Sequence, residues 1–181
     1  MVLYINSCIR NNSRTEFLAK KILEKEQKEY KELKLKELKL KPLDEKILER
    51  RTEVLESGDF NNPIVALSKE FSEATEIYIS APLWDNTFPA ILKIYLENIY
   101  CVGIVSEYDC YGNPIGLCKA KRLTFITTSG GPYKIDFSYN YIKDLVTNYF
   151  GIKETRLIKA ECLDIIGADV SKILNEAIKN S

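Results

Sequence analysis

Hydrophobic and polar positions follow two periods along this chain, and they alternate. Val2 to Asn6 is a short apolar run ending in polar residues, the pattern of a buried first strand. From Ser13 the period lengthens: Phe17, Leu18, Ile22 and Leu23 share one face with Lys and Glu opposite, which predicts an amphipathic helix. Tyr30 to Leu40 alternates through Leu33-Lys34-Leu35 and Leu38-Lys39-Leu40, predicting a half-exposed edge strand, although its Lys/Glu content also suits a helix. Asp44 to Glu56 and Pro63 to Ala74 read as helices parted at Ser57-Gly58-Asp59. Glu76 to Ala81 is a strand stopped by Pro82, and a helix follows from Pro89 to Cys101. Lys121 to Thr128 is a strand ended by Ser129-Gly130-Gly131. A helix from Ile135 to Phe150, a strand from Thr155 to Glu161 and a helix from Ala168 complete the chain.

This order predicts an α/β fold with a five-stranded parallel sheet and helices on both faces, because parallel strands need long crossovers and helices supply them. With no internal repeat, low-complexity tract or linker, residues 1–181 are expected to form one domain.

Composition then removes function classes. Lys+Arg and Asp+Glu balance at 26 each, so bulk charge draws the chain toward neither nucleic acid nor membrane. No apolar run reaches the roughly 20 residues of a membrane span, and Met1-Val2-Leu3-Tyr4-Ile5 lacks a basic leader. Five scattered cysteines, an odd number, suggest reduced thiols, so a cytoplasmic location is expected. The absence of histidine removes Ser-His and Cys-His catalysis and the common zinc sites. No CxxC is present and no metal site is expected. An enzyme of this composition would rely on a borrowed cofactor.

In open α/β sheets ligands bind beyond the carboxyl ends of the strands. Three segments fall there. Ser7 to Thr15 carries hydroxyls on Ser7, Ser13 and Thr15 ahead of a helix N-terminus, chemistry that suits a terminal phosphate; it has no glycine for a pyrophosphate. Ser13-Arg14-Thr15-Glu16 is equally a capping box. Ala81-Pro82-Leu83-Trp84-Asp85-Asn86-Thr87-Phe88-Pro89 holds the only tryptophan, a wall for a flat aromatic ligand or simply a packed loop. Thr127-Thr128-Ser129-Gly130-Gly131 offers paired glycines that permit positive φ and exposed amides. An anion at a helix N-terminus gains about 0.3–1 kcal/mol, up to about 2 when partly buried. Nanomolar binding needs about 12 kcal/mol. Most of the affinity must therefore come from burying a ring between the other two loops.

These stretches resemble the FMN-dependent NADH-azoreductases and the related NAD(P)H-quinone oxidoreductases of flavodoxin-like fold. Ser7-x5-Ser13-Arg14-Thr15 is similar to their phosphate loop, Ala81 to Asn86 with Leu92-Lys93 to their Pro-Met-Tyr-Asn-Phe loop and Leu-Lys, and Thr127 to Gly131 to their Thr-Ser-Arg-Gly-Gly. The resemblance implies that Ser7, Ser13, Arg14 and Thr15 hold the FMN phosphate. It also implies that Pro82, Leu83, Trp84, Asp85 and Asn86 lie along the isoalloxazine, with Thr128, Ser129, Gly130 and Gly131 at its pyrimidine edge. NAD(P)H is the implied reductant in a ping-pong transfer, and a quinone or azo compound the acceptor. Asp85 replaces the usual asparagine, which implies a lowered flavin potential, and Ser129 replaces the usual basic residue, which implies a changed acceptor preference. Tyr133 is a candidate to orient or protonate the acceptor. A homodimer is also implied. The helix bearing Ile91, Leu92, Ile94, Tyr95, Leu96, Ile99 and Tyr100 is apolar nearly all round, so either a second copy or the monomer's own core must cover it. The rivals are a flavin or iron reductase, a flavodoxin-like electron carrier and a cofactor-free interaction protein.

Overall fold

The structure is a computed structural model that describes residues 1–134 and 136–181. Its strands and helices run β1 (Val2–Asn6), α1 (Arg14–Lys25), β2 (Tyr30–Lys34), α2 (Glu45–Ser57), α3 (Ala66–Glu73), β3 (Glu76–Ser80), α4 (Ala90–Ile99), β4 (Ser106–Tyr108), β5 (Pro114–Gly116), β6 (Arg122–Thr128), α5 (Tyr139–Asn148), β7 (Glu154–Ala160) and α6 (Val170–Lys179). Five strands form one parallel sheet in the order β2-β1-β3-β6-β7, as the alternation of periods predicts. The order reverses between β1 and β3, so the loops that leave these two strands diverge and open a crevice.

Side chains alternate along each strand, so the sheet feeds two cores. Leu3, Ile5, Ile77, Ile79, Leu123 and Phe125 pack with Val54 of α2, Phe71 of α3, the buried face of α4 and Ile142 and Val146 of α5. Tyr4, Tyr78, Ile126 and Ile158 pack on the other side with Leu18, Ala19, Ile22 and Leu23 of α1 and Leu174 of α6. Phe17, expected on the buried face of α1, is 47% exposed instead; Thr15 takes the buried position at the helix start. In α4, Leu92, Tyr95, Leu96 and Ile99 are buried by the monomer, whereas Ile91, Ile94 and Tyr100 stay partly exposed.

The strand expected from Tyr30 to Leu40 ends at Lys34, and residues Leu35–Glu37 turn in a short 3-10 segment. The phase of the pattern explains this. Leu33 and Leu35 occupy odd positions and Leu38 and Leu40 even ones, so one straight strand would send the two pairs to opposite faces. The turn brings all four to the same core. The helix expected from Pro63 starts as a 3-10 turn, Pro63–Val65, before α3. The helix expected from Ile135 begins at Tyr139, and Ile135 itself lies outside the described residues.

The hairpin β4–β5 was not anticipated. Its tip is an Asp109 turn: the carboxylate accepts the amides of Tyr111 and Asn113, both at 2.8 Å, and Gly112 takes φ +83°. Gly116 lies directly against the backbone of Phe150 and Gly151, so any Cβ there would strike main chain.

At the amino ends of the strands sits an ionic cluster. Glu76 accepts from Lys28 at 2.6 Å and from Arg122 at 2.5 Å, while Glu26 accepts from Arg156 at 2.7 Å and from the Tyr78 hydroxyl. Burial opposes charge on both carboxyls. The hydrogen bonds from Tyr78 and Arg156 at Glu26, and from Lys28 and Arg122 at Glu76, outweigh it and hold both below the usual glutamate value of about 4.3. Depressed folded-state values contribute stability that is complete above the unfolded value and lost as pH falls through the folded ones. Melting temperature should therefore drop steeply below about pH 4.3. The drop should be shallower in Glu26→Gln; parallel curves for the two proteins would remove Glu26 from the account.

Among the described residues, no helix is long and apolar enough to cross a membrane.

Candidate functional site

Four loops meet at the carboxyl edge of the sheet around a cavity of about 410 Å³. The first leaves β1. Ser7 donates both its amide and its hydroxyl to the Ser80 carbonyl, at 3.0 and 2.8 Å, and is fully buried. It therefore anchors the loop to β3 and does not line the cavity. Asn6 assists by accepting the Cys8 amide at 3.0 Å. Burial pushes the Cys8 thiol up, so it stays protonated and inert.

After Asn12, at φ +59°, Ser13 caps α1: its hydroxyl accepts the Glu16 amide at 3.4 Å. The capping box is only half made, because Glu16 gives its carboxylate to Lys20 at 2.6 Å. The amides of Arg14 and Thr15, in the first turn of α1, have no partner within the helix. These amides, with the positive end of a 12-residue helix, form an anion cradle. Ser13, Arg14 and Thr15 all line the cavity beside it. The Thr15 hydroxyl lies 2.6 Å from that of Thr128 and ties the cradle to the third loop.

The second loop leaves β3. Ala81 and Leu83 donate to Ile126 and Thr128, at 3.0 and 2.9 Å, prolonging the parallel ladder. Pro82 sits between these donors, where the ladder requires no N–H. Trp84 and Thr87 exchange amide bonds at 2.8 and 2.9 Å across Asp85 and Asn86, whose φ values are +49° and +65°. Two successive positive φ values in a two-residue loop define a type I′ turn, which favours Asn, Asp and Gly. Pro82, Leu83 and Trp84 line the cavity, and the Arg10 guanidinium lies 5.7 Å over the Trp84 ring. Asp85 and Asn86 form the exposed tip behind them. Asp85 faces a neighbouring groove of about 570 Å³ that includes Phe88, Lys93, Phe137 and Tyr141 and shares Trp84.

In the third loop Thr128, Ser129 and Gly130 line the cavity, with Gly131 just behind. Neither glycine uses the positive φ that the sequence permits. Gly130 instead lies against the Asp164 side chain, which a Cβ there would push aside. The fourth loop, after β7, was not anticipated. Cys162, Leu163 and Asp164 donate their amides to Gly131, Ser129 and Gly130 at 3.2, 3.1 and 3.0 Å, so Leu163 and Asp164 close the remaining wall. Arg14 spans to this loop, donating to the Leu163 carbonyl at 3.1 Å and to Asp164 at 2.6 Å. Arg10 and Arg14 bring the positive charge that Ser129 does not.

Tyr133 does not line the cavity. Its hydroxyl donates to Asp136 at 2.7 Å, its amide to Glu161 at 3.1 Å, and Lys159 lies 5.1 Å from its ring centre. Burial, then the Asp136 carboxylate, raise its pKa, so it keeps its proton.

Fold and site together define an open, doubly wound α/β protein with a carboxyl-edge crevice bordered by a helix N-terminus and an indole ring. A family model described as flavodoxin-like fold matches residues 1–181, and the chain belongs to that family. The FMN-dependent NADH:quinone oxidoreductase of Clostridium beijerinckii is 39% identical over 123 residues, 65% of this chain and 60% of that protein. That of Coprothermobacter proteolyticus is 34% identical over 127 residues, 67% of this chain and 62% of that protein. The chain thus spans about three fifths of the length of these curated relatives. Among solved structures, an FMN-dependent NADH-azoreductase from Bacillus anthracis in complex with FMN superposes with a TM-score of 0.82 at 22% identity. The match covers 99% of this chain and 94% of that one, a likeness of fold.

Proposed function

We propose that residues 1–181 form one flavodoxin-like domain that binds FMN and acts as a cytoplasmic NAD(P)H-dependent oxidoreductase on quinone or azo acceptors. One observation supports this reading: Ser13, Arg14 and Thr15 at the start of α1 and Trp84 border the same cavity, so a phosphate and a flat ring can be served from one space. The volume of about 410 Å³ falls within the roughly 300–1,000 Å³ of cofactor sites. The names of the two relatives, FMN-dependent NADH:quinone oxidoreductases, supply the reaction.

Bound there, FMN would take hydride from NAD(P)H and pass two electrons to the acceptor. The chain's own residues position it. Ser13, Arg14 and Thr15 receive the phosphate with the free amides, and Ser7 holds that loop on β3. Pro82, Leu83 and Trp84 wall one side of the ring, and Asp85 and Asn86 shape the turn that sets Trp84. Thr128, Ser129 and Gly130 meet the polar edge, supported by Gly131. The groove holding Phe137 and Tyr141 opens on the far side of Trp84, within reach of an aromatic acceptor. Donor and acceptor use one open face in turn, which requires a ping-pong order. Tyr133 stands outside the cavity with its hydroxyl held by Asp136, and it is kept only as a candidate to orient or protonate the acceptor.

The exposed Asp85 carboxylate opposes added negative charge on a bound flavin. Exposed charge interactions are worth roughly 0.2–1 kcal/mol, and about 1.4 kcal/mol corresponds to 30 mV for a two-electron couple. Asp85→Asn should raise the midpoint potential by roughly 5–20 mV; an unchanged potential removes Asp85 as a tuning residue. The partly exposed Ile91, Ile94 and Tyr100 of α4 support a homodimer, and sedimentation at micromolar concentration should give twice the monomer mass. A monomer there ends that part of the proposal. The five free cysteines fit a reducing compartment.

The deciding experiment is purification, a visible spectrum, and identification of the cofactor released on denaturation. A yellow protein releasing FMN, whose NADH oxidation depends on menadione, is expected. A colourless protein that takes up no FMN rejects the reading; a yellow protein without NADH turnover is a carrier.

A further inference from the structure

Resting on the reading of the cavity as a flavin-phosphate site, we infer that the Arg14–Asp164 bridge is a specificity lock. It admits a flavin that ends in one phosphate and turns away one extended by a second phosphate and adenosine. Asp164 is thus a specificity-determining residue.

The bridge joins the first turn of α1 to the loop after β7, and both of its residues line the cavity beside the anion cradle. It is held in place from both ends. Arg14 Nη1 donates to the Leu163 carbonyl as well as to Asp164, and the Asp164 amide is pinned to Gly130 at 3.0 Å. The Asp164 carboxylate also rests against Gly130, where a larger residue would displace it. The side chains are 45% and 69% exposed, so the pair adds little to stability. Its consequence lies in what it spans.

A terminal phosphate stops at the helix start, on the cavity side of the bridge. Arg14 can still serve it, because a guanidinium has five N–H donors and only one nitrogen is engaged here. A pyrophosphate has to continue past the helix start, where the bridge closes the gap to the β7 loop. Passing there breaks the bridge and places the second phosphate against the Asp164 carboxylate. The first loop adds a second obstacle, since it has no glycine to let backbone approach a pyrophosphate. Rejection by like charge is discrimination against the wrong ligand, independent of how well the right one binds.

The test is the ratio of FAD to FMN dissociation constants, measured by flavin fluorescence quenching on the full chain and on Asp164→Ala and Asp164→Asn. The unaltered protein should prefer FMN, and Asp164→Ala should shrink that preference by about two- to fivefold, the range that an exposed charge interaction allows. Asp164→Asn, which keeps shape and loses charge, should fall between, and it decides the matter if the alanine variant does not fold by circular dichroism. A ratio unmoved in both variants overturns the lock while leaving the flavin site standing, as does an unaltered protein that binds both flavins equally. Binding of neither flavin by the unaltered protein overturns the site and the lock together.

Discussion

Trp84→Ala is expected to weaken FMN binding by about thirtyfold, the equivalent of about 2 kcal/mol. The half-buried ring forms the face of the second loop toward the cavity and carries Arg10 above it. Ring-on-ring contact is worth roughly 0.5–1.5 kcal/mol beyond area burial, and full burial of a large apolar side chain roughly 1.5–3 kcal/mol. A half-buried ring keeps part of each, which sets the estimate. Trp84→Phe should recover most of the loss, because it restores an aromatic face without changing the turn. Titration by fluorescence quenching measures both, and a dissociation constant for Trp84→Ala within a factor of about three of the unaltered protein would contradict a ring wall at this position.

Phe71→Ala should be the most damaging change to the fold. Phe71 is fully buried and meets Phe150 edge-on at 5.5 Å, and Phe150 in turn lies 5.3 Å from Tyr100. Removing a buried phenylalanine ring costs about 3–5 kcal/mol, out of a total stability of about 5–15 kcal/mol. For a chain of this length each kcal/mol moves the melting temperature by about 2–4 °C, so a fall of roughly 6–20 °C is expected. Urea denaturation gives the same comparison; a loss below about 1 kcal/mol would mean that the α3 side of the core refills the space.

The centre of the sheet was legible because β1, β3 and β6 are buried on both faces and read as largely apolar runs, as at Val2 to Asn6 and Leu123 to Thr128. Where the pattern failed, the reason is local. The phase slip between Leu35 and Leu38 looked like continued alternation until position parity was considered. Phe17 was placed on one face with Leu18, Ile22 and Leu23, yet the buried face consists of Thr15, Leu18, Ala19, Ile22 and Leu23, and Phe17 lies outside it. The hairpin had its turn signal, Asp109 to Asn113, but its strands are only three residues long and mostly exposed.

The candidate site was legible in part. Of the four loops that border the cavity, three carried a signal in the sequence: hydroxyls, a lone tryptophan and paired glycines. Leu163 and Asp164 did not, since an ordinary leucine and aspartate after a strand carry no signature; their role comes from folding back on Gly130. Arg10 was likewise hidden, because stacking on Trp84 is a contact between loops. Ser7 was read from its type as a ligand-facing hydroxyl, and the structure spends that hydroxyl on Ser80.

The Trp84–Thr87 turn has a consequence for how such proteins diversify. Its two central positions are left-handed, so the residues that evolution can place there without strain are few: glycine, asparagine or aspartate. At the tip beside Trp84 these choices are neutral or negative, and a cation there would carry the backbone strain that Lys39 carries elsewhere in the chain, at φ +49°. Positive charge beside this loop is placed instead on Arg10, whose guanidinium lies 5.7 Å over the Trp84 ring.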